Sequence, residues 1–238
     1  MAEVLGVIPA RGGSKTVPRK NLQPLAGRPL VAWTFQAARQ SARLARTVCS
    51  TDDLEIAALA REAGIEVPFL RPAELAGDDT PSLPVAQHAV RALEQQGYRP
   101  DVVVLLQPTS PLRRAEHIDA AVDLLEASGA DSIVSVVQVP HNFNPVSLLR
   151  LENGRLVPYL PGEGVRVLRR QDKPEVWARN GAAVYVTRRD VLMDEDSFFG
   201  RDCRPLVMTR EESVDIDDET DLVVAAALLE RRGRPAGA

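Results

Sequence analysis

The sequence predicts an α/β protein in which a parallel sheet is covered on both faces by helices. Two observations lead there. Short apolar, β-branched runs alternate with helical patterns through the first two thirds of the chain, and such alternation implies parallel strands joined by right-handed crossovers. The run Val102 to Leu106 is apolar without a break, as a strand is when both its faces are buried. Size agrees: 238 residues, 45% hydrophobic and only 4% aromatic, make one α/β domain, or one domain with a small appendage, and a core of Val, Leu, Ile and Ala.

Taken in order, Val4 to Ile8 reads as the first strand. Pro29 to Ser41 reads as a helix, because a first-turn proline precedes apolar residues at helical spacing. Thr47 to Ser50 is a short strand, and Asp53 to Ala63 a helix that Gly64 caps. After a polar, proline-containing loop, Leu83 to Gln95 is a helix ending at Gly97. The buried strand Val102 to Leu106 follows, then a helix from Ala115 to Ala127 stopped at Gly129, then a strand from Ser132 to Val137. Between Val139 and Arg179 five prolines (140, 145, 158, 161 and 174) break the pattern. Such a stretch predicts a projecting arm, 139–179, serving as a substrate flap or subunit contact. The catalytic domain is then 1–138 plus 180–232, with strands at Ala182 to Thr187 and Leu206 to Met208 and a last helix from Glu219 to Arg231. Residues 233–238 read as a frayed tail.

Several function classes are disfavoured. A net charge of −4 gives neither nucleic acid nor a membrane surface a general attraction to the chain. No run approaches the ~20 apolar residues that span a bilayer. Met-Ala-Glu leads straight into a strand without a basic leader, so the expected location is the cytoplasm. Cys49 and Cys203 form neither a disulfide framework nor a metal spacing, and both are expected to be buried. His88, His117 and His141 show no catalytic or metal spacing, and the first two are expected to be structural.

The chemistry concentrates after the first strand, in the loop from Arg11 to Asn21. Ligands of open α/β sheets bind beyond the carboxyl ends of the strands. Gly12 and Gly13 let backbone amides approach an anion, while Arg11, Lys15, Arg19 and Lys20 put four cations within ten positions of an acidic chain. A polyphosphate fits. The dinucleotide fingerprint does not, since Pro18 and the long loop delay the helix, and the Walker spacing is absent. Far downstream, Asp215 and Asp217 lie two apart in an extended run, which turns both carboxylates to one face and Ile216 to the other. Such a pair calls for a hard cation such as Mg²⁺, although Asp217 or Asp218 could instead cap the last helix. Gln107 ends the buried strand on the ligand side, where Pro108 turns the chain.

The string from Val7 to Asn21 resembles the signature of the acylneuraminate cytidylyltransferases, the CMP-sialic acid synthetases and their relatives for other nonulosonic acids. Further pieces agree in order: Ser50-Thr51-Asp52-Asp53, Arg71 to Leu75, Leu106 to Arg113, Asn180-Gly181-Ala182 and Ser213 to Asp217. The resemblance implies a doubly wound, mostly parallel, Rossmann-like sheet and a homodimer whose arm reaches the partner's site. It implies transfer of CMP from CTP to the anomeric hydroxyl of a nonulosonic acid. Arg11 and Lys20 would act on the phosphates; Ala10, Gly12, Gly13, Ser14, Asn21, Arg71 and Ser82 would complete the CTP site. Gln107, Arg170 and Asn180 would meet the sugar, and Asp215 and Asp217 would hold Mg²⁺. The arm segment Pro140 to Ser147 departs from the His-His-Pro-like segment of sialic acid enzymes, which opens the identity of the sugar. Alternatives are a Kdo-type or other sugar nucleotidyltransferase, and a non-catalytic nucleotide-binding module.

Overall fold

The two-residue period of a strand decides which layer each side chain serves. Along β1 (Val4–Pro9), Val4 and Ile8 face one side and Leu5 and Val7 the other, all of them buried. The structure, a computed structural model, describes residues 2–160 and 169–233. Pro161 and positions 234–238 of the expected tail lie outside the described residues.

After β1 come a small hairpin, β2 (Pro24–Leu25) and β3 (Arg28–Pro29), helix α1 (Leu30–Gln40), β4 (Arg46–Ser50), α2 (Leu54–Glu62) and α3 (Ser82–Glu94). Then follow β5 (Val102–Leu105), α4 (Ala115–Ser128) and β6 (Ser132–Gln138). The segment with the prolines carries β7 (Leu149–Glu152), β8 (Arg155–Pro158) and β9 (Trp177–Arg179); the chain closes with β10 (Tyr185–Arg188), α5 (Arg189–Asp194), β11 (Cys203–Met208) and α6 (Glu219–Gly233).

The central sheet runs β11-β6-β10-β5-β1-β4, with β9 also on β6. β1 pairs parallel with β4 and β5, and β11 parallel with β6. β10 runs antiparallel between β5 and β6, so the sheet is mixed but mostly parallel. α1, α2 and α4 cover one face through Phe35, Ile56 and Ile118. α3 and α5 cover the other through Val90, Leu93 and Leu192. Each such buried side chain contributes about 1.5–3 kcal/mol relative to exposure. A third cluster seats α6, joining Leu30, Leu112, Ile216, Ala225 and Leu229. The chain leaves β1 for β4 on one side and later returns to β5 on the other. That switch point opens a crevice beyond the carboxyl end of β1.

Four features differ from expectation. The strand expected at Ala182 begins only at Tyr185, because Gly181 and Ala182 have φ of 71° and 56° and turn the chain first. β11 starts at Cys203, three residues before the expected Leu206. Cys203 is exposed rather than buried, since β11 is the sheet edge; Cys49 is buried as expected, and burial pushes its thiol up to about 12. β9, inside the expected arm, pairs with β6 of the main sheet, while β7 and β8 form a separate two-stranded sheet. Among the described residues no helix is long and apolar enough to cross a membrane.

Candidate active site

The crevice at the switch point is a cleft of ≈ 230 Å³. The first loop supplies one wall, with Arg11, Gly13, Ser14, Lys20 and Asn21; Arg71, Ser82 and Gln107 supply the other. Residues far apart in sequence thus meet around one space.

The two adjacent glycines do different work. The Gly12 amide donates to Asp52 Oδ1 at 3.0 Å, and a β-carbon there would come within 2.7 Å of the Asp53 carboxylate. Gly12 therefore lets the chain pass over Asp52 and Asp53. Gly13 has nothing within 4 Å of where its β-carbon would stand, leaving the backbone open to a ligand. The cations divide as well. Arg19, at φ 50°, pairs with Asp53 at 2.9 Å and Glu55 at 3.0 Å, which raise its pKa and turn it toward the start of α2. Arg11 faces the cleft and pairs with Asp78 at 2.6 Å. Lys20 Nζ donates to the carbonyls of Ile216 (2.8 Å) and Asp217 (3.2 Å), tying the loop to the acidic segment. Asn21, 9% exposed, donates to the Arg11 carbonyl at 2.9 Å and sets the loop's curvature.

On the opposite wall Arg71 is buried. Its Nε donates to Ser50 Oγ at 3.1 Å and its Nη2 to the Ser50 carbonyl. Burial lowers its pKa and Asp52 opposes that shift, so a positive charge is held rigidly at the cleft floor. Ser82 opens α3 and accepts from Gln107 Nε2 at 3.0 Å, which brings the positive end of that helix to the cleft.

The acidic segment resolves the capping question. Asp218 Oδ1 accepts from the amides of Thr220 (2.8 Å) and Asp221 (3.1 Å), and Asp221 Oδ2 accepts from those of Asp217 (2.9 Å) and Asp218 (3.0 Å). Asp218 and Asp221 thus cap α6 reciprocally, much as a capping box does. The carboxylates of Asp215 and Asp217 have no part in it. Ile216 between them is fully buried. Asp215 is pressed against Gly181, and its Oδ1 is buried without a hydrogen-bond partner. Burial raises its pKa; the Thr109 hydroxyl opposes this, Asp217 reinforces it and Lys20 opposes it. The cleft gathers Arg11, Lys20, Arg71 and a helix N-terminus, features that suit an anion. Asp215 and Asp217 do not line it, but the Ile216 backbone between them is bonded to Lys20 and Thr109 of its wall.

A family model described as cytidylyltransferase matches residues 5–155. The chain belongs to the cytidylyltransferase family. It is 34% identical over 229 residues to the CMP-N,N'-diacetyllegionaminic acid synthase of Legionella pneumophila, covering 95% of this chain and 96% of that one. It is 30% identical to the N-acylneuraminate cytidylyltransferase of Escherichia coli, covering 98% of this chain and 53% of that longer protein. Among solved structures, a CMP:2-keto-3-deoxy-manno-octonic acid synthetase complexed with CTP superposes with a TM-score of 0.70 at 16% identity, covering 97% of this chain and all of that one. The last likeness is one of fold.

Of the residues named in this cytidylyltransferase from sequence, Arg170 and Asn180 stand apart from the cleft, and Ala10, Gly12, Asp215 and Asp217 do not line it either. Arg170 is exposed and lines a second, larger cavity of ≈ 940 Å³ with Trp177, Thr209 and Arg210, at the C-terminal end of β6. Asn180 is 4% exposed; it accepts from Ser135 Oγ at 2.6 Å and donates to Ser213 Oγ at 2.9 Å. Both ends of its amide are engaged in joining β6 to the segment that precedes Asp215.

Sequence reasoning missed others. Arg113 is 3% exposed and donates to the carbonyls of Gln107 (3.0 Å) and Ala183 (2.8 Å) and to Thr34 Oγ1. Burial with no facing carboxylate pushes its pKa down to about 9, which leaves it charged at neutral pH. It holds in place the loop that carries Gln107. Asp78, Thr80 and Thr109 also line the cleft. For Asp78 and Thr80 the signal was the cluster Asp78-Asp79-Thr80, which reads in sequence as an ordinary polar loop, and Thr109 lies within the string from Leu106 to Arg113.

Proposed function

We propose that this cytidylyltransferase moves CMP from CTP to the anomeric hydroxyl of a nonulosonic acid of the sialic, legionaminic or pseudaminic type. The sugar oxygen bonds to the α-phosphorus, the bond from that phosphorus to the β-phosphate oxygen breaks, and pyrophosphate leaves. The observation that carries the reading is the convergence of Arg11, Lys20, Arg71 and the start of α3 on one cleft. Fixed cations of this kind neutralise charge on transferring and leaving oxygens, which is most of what such a reaction needs from a protein. Near-full-length relatives at 30–34% identity that are named CMP-N,N'-diacetyllegionaminic acid synthase and pseudaminic acid cytidylyltransferase support the acceptor class.

In this reading Arg11 and Lys20 act on the phosphates. Ala10, Gly13, Ser14, Asn21, Arg71 and Ser82 shape the CTP seat, with Gly12 holding the loop's path. Gln107 meets the sugar, Asn180 supports that wall, and Arg170 faces the carboxylate of a sugar in the partner's site. Asp215 and Asp217 fit a Mg²⁺ ion: the cap is made by other residues, one buried carboxylate oxygen lacks a partner, and two carboxylates plus phosphate oxygens suit that cation. Bound there, Mg²⁺ would supply charge neutralisation at the phosphates. A homodimer is part of the proposal, supported by the exposed Leu149, Leu151, Leu156 and Tyr159 on and beside the β7–β8 hairpin, an apolar patch that calls for a partner surface. The site of action is the cytoplasm, alongside CTP.

The test is pyrophosphate release by the purified protein with CTP, Mg²⁺ and a panel of nonulosonic acids, with Kdo as a competitor. Turnover with a nine-carbon acid is expected. No release across the panel overturns the acceptor assignment, and preference for Kdo reassigns it.

A further inference from the structure

The cations of the first loop already hold an anion that belongs to the protein. Asp78 presents Oδ1 to Arg11 Nη1 at 2.6 Å, and its other oxygen, Oδ2, stands 3.9 Å from Lys15 Nζ. The next residue, Asp79, pairs with Lys15 at 3.2 Å. One carboxylate shared between two cations, at the mouth of a cleft that both Arg11 and Asp78 line, is the arrangement a phosphate would adopt there. The carboxylates sit on a turn whose Thr80 amide donates to the Gly77 carbonyl at 3.2 Å. The turn is tethered at both ends, by the clamp of Arg71 on Ser50 before it and the contact of Ser82 with Gln107 after it. Between those anchors no hydrogen bond beyond the turn, apart from the ion pairs to Arg11 and Lys15, holds Asp78 or Asp79 among the described contacts.

Resting on the reading that Arg11 binds CTP phosphates, we propose that Asp78 is a resident phosphate mimic. It occupies the polyphosphate seat in the empty enzyme, must swing away for CTP to enter, and returns to help expel pyrophosphate. Carboxylate and phosphate carry the same sign, so they cannot share Arg11 without repulsion. Asp78 therefore lowers the affinity of every ligand that carries phosphates at this seat and leaves the nucleoside part untouched. It is a positioning residue acting through Arg11 and Lys15, and it sets CTP affinity and product release.

The sign of this effect is testable, because removing a residue that merely oriented Arg11 would weaken binding. Dissociation constants for CTP, inorganic pyrophosphate and cytidine would be measured by titration calorimetry on wild type, Asp78→Asn, Asp78→Glu and Arg11→Ala, with Tm as a check on folding. For Asp78→Asn the expected result is CTP and pyrophosphate binding tighter by roughly two- to fivefold, the range of a partly exposed ion pair, with cytidine unchanged. The KM for CTP should fall correspondingly, and Asp78→Glu should bind as wild type does. Weaker or unchanged CTP binding in Asp78→Asn, or equal tightening of cytidine, overturns the mimic. If Arg11→Ala does not weaken CTP, the underlying phosphate assignment fails instead, and the mimic fails with it.

Discussion

The carboxylate of Asp215 lies so close over Gly181 that a β-carbon on that glycine would stand 2.2 Å from it. Gly181 also adopts φ 71°, the left-handed region, in the turn before β10. Two independent reasons therefore exclude any side chain there. Gly181→Ala should displace Asp215 and strain the turn, lowering stability by about 1–3 kcal/mol and abolishing turnover. Denaturant melts and pyrophosphate release measure the two effects separately.

The division of labour among the acids makes neighbouring carboxylates behave oppositely. Asp217→Asn should reduce turnover to background with an unchanged melting temperature, since Asp217 contributes only its backbone to the cap. Asp218→Ala should do the reverse, costing about 0.5–2 kcal/mol as a lost N-cap with the chemistry largely retained. Near-wild-type turnover in Asp217→Asn would refute the metal assignment.

Arg113 holds the Gln107 loop from behind through three acceptors. Arg113→Met removes a buried charge but takes a donor from each of those acceptors, of which the Gln107 carbonyl keeps only a long bond from the Ser110 amide at 3.4 Å. A buried acceptor left unsatisfied costs about 1–3 kcal/mol. The variant should be destabilised by a few kcal/mol, and where it still folds the KM for the sugar should rise. Chemical denaturation and steady-state kinetics check the pair of outcomes.

Two half-buried histidines set an acid limit. Burial lowers the pKa of His88, with Arg71 and Arg91 adding to it, and burial lowers that of His117, with Glu212 opposing. The unfolded chain therefore binds more protons than the folded one just below the ordinary value of 6.5. Stability is fully present above 6.5 and falls as pH drops toward the folded values. The melting temperature should decline as pH falls below about 6.5, and His88→Gln should flatten part of that decline.

The exposed leucines of the β7–β8 hairpin, Leu151 at 72% and Leu156 at 68%, gain nothing from water. Replacing both with Glu should convert the proposed dimer to a monomer in sedimentation velocity, with the melting profile of the central domain kept. A wild type that sediments as a monomer would overturn the dimer outright.

Local signals account for what the sequence alone determined. The uninterrupted run at Val102, the periodic helices, Gly64 and Gly129 as helix ends, and the basic glycine loop all act through neighbours in the chain. So the α/β class, the position of most elements and the loop that walls the cleft at the end of β1 could be read directly. The tertiary structure decided what depends on partners far away. The direction of β10 is set by its pairing with β5 and β6, which no local pattern encodes. Gly12 and Gly13 are identical in sequence, and only the approach of Asp52 and Asp53 makes one structural and leaves the other open. Asp217 and Asp218 are neighbours of one type, separated in role because only the Asp218 carboxylate accepts from the first amides of the last helix. Asp78, 67 residues from Arg11, acquires meaning only because the fold sets a carboxylate where a phosphate would bind. Charges act through space, and that spacing exists only once the chain has folded.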